Sequence, residues 1–162
     1  MDISYSLNTL YFLLSGVLVM WMAAGFTMLE AGSVRSKNVI EILLKNIALY
    51  SVASIGFLLF GYSIMYGWGD IDTHSIYADF FFQVVFVATA MSVVSGAVAE
   101  RKKLWTFLLF ASLFTTLIYP IQGAWSWGGG WLSERGFFDF AGSGIVHMAG
   151  ASAALAGVLI LG

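Results

Sequence analysis

Asp139-Phe140-Ala141-Gly142-Ser143-Gly144-Ile145-Val146-His147 is the stretch on which the reading of this chain turns. It opens the uncharged run Phe140–Gly162, in which nearly every other side chain is apolar or small. An ionisable group at membrane depth is costly, and where it persists it marks a pathway or a proton-handling site. On a regular helix the eight residues from Asp139 to His147 advance about 12 Å and turn about 80°. That places Asp139 at a helix start, where a carboxylate caps free N–H groups and complements the positive helix end. His147 then lies about a third of the way into the span. Each residue also has a plainer reading: Asp139 as a cap alone, His147 as a packed histidine bonded to a backbone carbonyl.

Composition sets the environment. Hydrophobic residues make up 60% of the 162 positions and charged residues only 10%, against roughly 25% charged in ordinary soluble domains. With a mean hydropathy of +0.89, the chain reads as an all-α integral membrane protein. A net charge of −2 argues for no nucleic-acid partner, and the lack of Cys removes disulfides and thiolate chemistry. Nothing calls for a cofactor or a metal. Met1-Asp2 brings no basic region of the kind that opens a cleavable signal.

Charges divide the sequence into five uncharged segments, Ile3–Leu29, Asn46–Gly69, Phe80–Ala99, Leu104–Ser133 and Phe140–Gly162. Each can cross a hydrocarbon core, which needs about 20 residues. The expected spans over residues 1–162 are about 7–30, 42–67, 79–99, 104–120 and 142–162, with Lys45 near an interface. Past Pro120, the tail Trp125-Ser126-Trp127-Gly128-Gly129-Gly130-Trp131 reads as an ordered interfacial loop rather than helix. Arg35, Lys37, Arg101, Lys102 and Lys103 follow the first and third spans, whereas Arg135 is the basic residue of the opposite loops. The positive-inside bias therefore puts the N-terminus outside. An odd number of spans suits one half of an inverted repeat, a plan common among transporters. Small residues along the third and fifth spans, from Ala88 to Ala97 and from Gly144 to Gly157, predict close helix packing.

Three further features carry chemistry. Trp127 adjoins three glycines that leave its backbone and ring open, and indole is the best face for a cation; Trp125 and Trp131 read as interfacial anchors. Phe82 and Phe86 lie one turn apart on the third span and can gate a narrow path or face lipid. Ser143 and His147, also one turn apart, raise an intramembrane serine hydrolase. That chemistry needs an oxyanion hole and water, and a nucleophile and base on one helix converge poorly. A non-enzymatic role is expected.

Together with Gly25-Phe26-Thr27-Met28-Leu29-Glu30-Ala31-Gly32-Ser33-Val34-Arg35-Ser36-Lys37-Asn38 and Gly96-Ala97-Val98-Ala99-Glu100-Arg101, these strings resemble the ammonium transporter family, which includes the Rh proteins. The resemblance runs over nearly the whole chain, with the motifs in family order. It implies five transmembrane helices forming one half of an inverted-repeat ammonium-transporter fold. Trp127 resembles the tryptophan of an outer cation site, Phe86 the ring beneath it, and Phe82 falls one turn above Phe86. Asp139 resembles the aspartate that holds this site in shape, and His147 the first of two paired pore histidines. The partner histidine and a serine completing the outer site belong to the family's second half. A homotrimer in the cell membrane is implied for the complete protein.

The implied activity is transmembrane passage of ammonium or ammonia. A bare ion is costly to desolvate, an aromatic cage offsets part of that cost, and deprotonation offsets more. Imidazole titrates near working pH and can relay the proton; potassium has no proton to give. The alternative is an ammonium sensor that uses the same membrane fold and signals through a C-terminal domain. A truncated, inactive product is a further possibility.

Overall fold

In lipid every backbone N–H and C=O must be satisfied within the chain, so long apolar segments form helices. A computed structural model of the protein describes residues 2–162 and carries five helices long and apolar enough to span a membrane. They are α1 (Ile3–Ser33), α2 (Ser36–Met65), α3 (Ile76–Ala97), α4 (Leu104–Ala124) and α6 (Phe140–Leu161), with the short α5 (Trp131–Glu134) before the last. The all-α membrane class follows from them. Strands are absent among the described residues.

The third span is the hub. α1, α2 and α6 all pack on α3, which is the most buried of the five. Its small residues permit this. A Cβ on Gly150 would lie 2.6 Å from the Ala90 carbonyl, and one on Gly157 would lie 3.0 Å from Val98. The small-residue faces expected on the third and fifth spans thus meet each other. At the far edge of the bundle α1 leaves Leu7, Leu14, Leu18 and Trp21 exposed.

Charged residues do not mark helix ends as the sequence suggested. Glu30 and Lys45 lie within helices and are buried, whereas Asp79 is buried in the first turn of α3. α1 continues past Glu30 because Lys45 neutralises it across the α1–α2 contact, at 2.8 Å. Lys45 is accordingly buried inside the bundle.

Pro120 does not end α4 either, which runs on to Ala124. A proline ring clashes with the carbonyl four residues back, and its missing N–H orphans that group. Phe114–Ile118 widens into a π turn, with the Tyr119 N–H reaching the Phe114 carbonyl, so the bonding register shifts just ahead of the proline. Gly61 of α2 makes room for the ring: a Cβ there would sit 3.0 Å from Pro120 Cγ. α2 has its own π turn at Phe57–Gly61, packed against that of α4.

Candidate functional site

The site is built where α3, the loop after α4 and the start of α6 converge. α6 does not begin as a regular helix. Ala141 (φ 56°) and Gly142 (φ 75°) both take left-handed backbone, and Ser143–Met148 is a π turn. This double reversal returns the chain over itself, so that Asp139 Oδ1 accepts the Gly144 N–H (2.9 Å) and Oδ2 the Ile145 N–H (2.7 Å). Asp139 is buried and does cap the helix, but across an intervening turn. The regular-helix spacing between Asp139 and His147 therefore does not apply.

Asp139 also reaches the loop. Its carbonyl lies 3.4 Å from the Trp127 indole Nε1, which donates to it. Gly142 is required for this closure, since a Cβ there would meet both Val146 (2.8 Å) and the Trp127 ring (3.2 Å). The glycines after Trp127 have a different purpose from the one expected. A Cβ on Gly130 would stand 2.6 Å from the Ala124 carbonyl, Gly128 is closed in by Met65 and Ala124, and Gly129 has φ 75°. They let the backbone fold tightly onto the end of α4, and Trp127 itself is half-buried rather than open. Trp125 and Trp131 pair with each other at 5.8 Å and stay exposed.

Trp127 stands edge to face with Phe86 at 5.9 Å, and Phe86 with Phe82 at 5.0 Å. The three aromatic candidates form one continuous stack, with α3 supplying two rings a turn apart and the loop the third. Edge-to-face rings turn the negative face of one toward the positive edge of the next, a geometry worth about 0.5–1.5 kcal/mol per pair beyond burial. Phe82 is half-buried and also meets Phe12 of α1 at 5.2 Å.

His147 is the candidate that the five spans do not enclose. Its ring is exposed and makes no hydrogen bond among the described residues, so it is not a packed histidine bonded to a carbonyl. Ser143 donates its hydroxyl to the Phe140 carbonyl at 2.8 Å and not to His147. The Ser–His pair is not assembled.

Several residues without a signal in the sequence shape the same region. Gln122 of α4 donates to the Ile145 carbonyl (2.9 Å), one of the carbonyls of the π turn that carries His147. Tyr62 of α2 donates to the buried Asp79 at the head of α3 (2.6 Å). His74 stacks on Phe12 at 4.0 Å with rings nearly parallel. A Gln near a proline, or a lone His in a polar loop, does not stand out for such roles. Their partners lie far away in chain order, beyond the reach of local spacing.

The C-terminal ends of α1 and α3 and the N-terminal halves of α2 and α4 hold a separate polar centre. Lys45 donates to Glu30 and to the Ser95 carbonyl (3.2 Å), and Ser95 Oγ donates to Glu30 (3.0 Å). Glu100, with φ 60°, accepts from the Arg35 backbone N–H (3.0 Å), from Arg35 Nε (3.2 Å) and from Asn38 Nδ2. The Asn38 amide, then the Arg35 N–H and guanidinium, hold the Glu100 carboxyl below its usual range. Beside them, burial and then the Lys45 charge push the Lys102 amine down to about 6.

Comparison with known proteins agrees with this architecture. Residues 10–162 match the model of the Ammonium Transporter Family. "Ammonium transporter Amt2" of Archaeoglobus fulgidus is 41% identical over 177 residues, covering 93% of this chain and 37% of that protein. "Ammonium transporter 3" of Dictyostelium discoideum is 36% identical, covering 99% of this chain and 40% of that one. The solved structure of a "Sensor Amt Protein" superposes with a TM-score of 0.91 at 34% identity, over 99% of this chain and 45% of that one. The chain thus spans about two fifths of the length of the curated relatives it matches. With the motifs, the five spans and the family match in agreement, the chain belongs to the Ammonium Transporter Family.

Proposed function

We propose that this chain supplies one half of a transmembrane path for ammonium or ammonia, with an outer aromatic cation site and a pore histidine that handles the proton. The observation that carries it is the Trp127–Phe86–Phe82 stack tied through the indole N–H to Asp139. Trp127 offers a half-buried indole face to a cation, and a desolvated cation over such a face gains about 2 kcal/mol or more. Phe86 and Phe82 continue the aromatic surface along α3. Asp139 contributes by position: both carboxylate oxygens are taken by backbone N–H groups, so it sets Trp127 and the start of α6 rather than touching the ion.

His147 supports the second step. An ionisable side chain at membrane depth faces a bundle interior or a water-filled cavity rather than lipid, and here its ring leaves the five-helix unit. That suits a face completed by further helices, on which an imidazole accepts the proton that ammonium sheds. The complete path, the homotrimer, the cell-membrane location and the N-terminus outside all belong to this proposal.

Ammonium-induced current in proteoliposomes of the native-length protein, with potassium as control, tests it. We expect a saturable, ammonium-selective current, and Trp127→Leu to weaken apparent affinity by about 30-fold, which corresponds to about 2 kcal/mol. Unchanged selectivity in both Trp127→Leu and His147→Asp would sink the cage-and-relay mechanism. Absent current with saturable ammonium binding would favour the sensor reading; the superposed structure is itself called a sensor.

A further inference from the structure

We infer that a second cavity, formed by the loop between α2 and α3 and the head of α3, is a binding site for a small cation that donates N–H hydrogen bonds, ammonium or a primary ammonium group. The cavity holds about 310 Å³ and is lined by Tyr62, Tyr66, Asp70, His74 and Asp79. Two of its polar atoms, Tyr66 Oη and His74 Nε2, are buried and without a hydrogen-bond partner among the described residues. Buried polar groups are almost always paired, and one left open calls for a ligand, ion or water to complete it. Here two open groups face the same space.

The arrangement is one of acceptors. Tyr62 occupies Oδ2 of Asp79 at 2.6 Å, while Oδ1 has only Gln83 at 3.5 Å and His74 Nε2 at 3.7 Å. His74 Nδ1 lies 2.8 Å from Thr73 Oγ1. With the proton on Nδ1, which then donates to Thr73 Oγ1, Nε2 is a bare lone pair, and a lone pair facing a carboxylate stands off; the 3.7 Å separation fits that tautomer. A group that brings its own N–H donors between Oδ1, Nε2 and the Tyr66 oxygen satisfies all three. No Lys or Arg lines the cavity among the described residues, so Asp79 and Asp70 favour a positive occupant. An N–H donor fits the open acceptors better than a bare alkali ion.

The site is held in shape before any ligand arrives. His74 is clamped by the Phe12 ring, and its loop is pinned to α1 twice: Asn8 donates to the Thr73 carbonyl (3.1 Å), and the Ser75 N–H donates to Thr9 (3.0 Å). Phe12 in turn meets Phe82, the end ring of the Trp127 stack. Asp79 precedes Phe82 by three residues on α3, so the cavity stands in series with the aromatic site. The binding assignment stands on the cavity's own chemistry. Only the order of the two sites along a path rests on the proposed function.

Isothermal titration of the native-length protein in detergent with ammonium chloride, against potassium chloride, tests the assignment. Two saturable ammonium sites are expected. Tyr66→Phe and Asp79→Asn should each weaken one of them at least tenfold, and Trp127→Leu should weaken the other. Tyr66→Phe is decisive because its hydroxyl has no partner to lose, so the fold should melt as the wild type does. Ammonium binding unchanged in Tyr66→Phe overturns the proposal even if Asp79→Asn, which also strands Tyr62, fails to fold. Equal binding heat with potassium overturns it too. If Trp127→Leu spares both sites while Tyr66→Phe removes one, the aromatic-site reading fails and the cavity stands.

Discussion

The two poles of this bundle, one around Trp127 and Asp79 and the other around Glu30 and Glu100, are both rich in polar groups, yet they are wired differently. At the second pole Glu30 meets Lys45 and Ser95, and Glu100 meets Arg35 and Asn38. Most charge there is paired within the chain, and the product is a latch across α1, α2 and α3, with Glu30 Oε1 and Lys102 Nζ the buried atoms left without a partner among the described residues. At the Trp127 pole the rings, Asp79, His74 and Tyr66 leave π faces and lone pairs open. The contrast teaches that burial of charge alone does not mark a site: at one pole most ions already hold their counter-ions, while at the other open groups line one shared cavity.

The largest break of that contrast is at the latch. Removing one member of a buried ion pair leaves the other uncompensated, which costs about 3–5 kcal/mol. Glu30→Gln should therefore lower the melting temperature sharply, and adding Lys45→Met should restore most of it, because an apolar pair avoids the desolvation cost. Ammonium affinity measured on the folded fraction should not change; a selective loss of binding would erase the distinction between the poles.

Asp139→Ala comes next. It strips two N–H groups of their acceptor at the start of α6, a cap loss of about 2 kcal/mol at the upper end of the usual range. The indole bond to the residue 139 carbonyl survives this change, but the carboxylate holds the turn that aims that carbonyl at Trp127, so the variant should lose ammonium affinity as well as stability. Asp139→Asn, which keeps an acceptor oxygen, should recover part of both. Stability loss without any change in affinity would reduce Asp139 to a cap.

Two smaller effects are read by pH at the Glu30 pole, and they differ in origin. Glu100 titrates below its ordinary value of 4.5 when folded. The unfolded chain takes up the proton first, so this group stabilises the fold above about pH 4.5, and that contribution is lost as pH falls through the folded value. Melting curves from pH 7 to pH 3 should show Glu100→Gln less stable than the wild type at the upper end and level with it at the lower. Lys102 is depressed from 10.5 to about 6, so between those values the unfolded chain holds more protons and stability rises with pH. Lys102→Met should melt higher than the wild type at pH 7 and lack that slope. A lower melting temperature in Lys102→Met would mean that the amine, seated over the Phe107 ring at 3.1 Å, contributes more as a partner than it costs.

Much of the fold was legible in the order of residues. Five apolar runs, each long enough to cross a bilayer, dictate five helices because lipid offers the backbone no other partner. The motifs from Gly25 to His147 carried the family, and Trp127, Phe86 and Phe82 were found as candidates from their chemistry and spacing. That the three rings form one stack, and that the indole is fastened to Asp139, was not legible: the residues come from α3, a loop and the approach to α6, and only packing brings them together.

The tertiary structure alone decided where charge is tolerated and where helices bend. These helices are apolar on nearly every face, so periodicity does not reveal which side is buried, and Glu30 and Lys45 looked like boundaries until each was seen to neutralise the other. Pro120 looked like an end until the π turn before it moved the bonding register. His74 and Tyr66 gave no signal at all, since an open lone pair is a property of the surroundings and not of the residue. Sequence determines which groups a membrane must bury; the fold determines which of them are left wanting a partner.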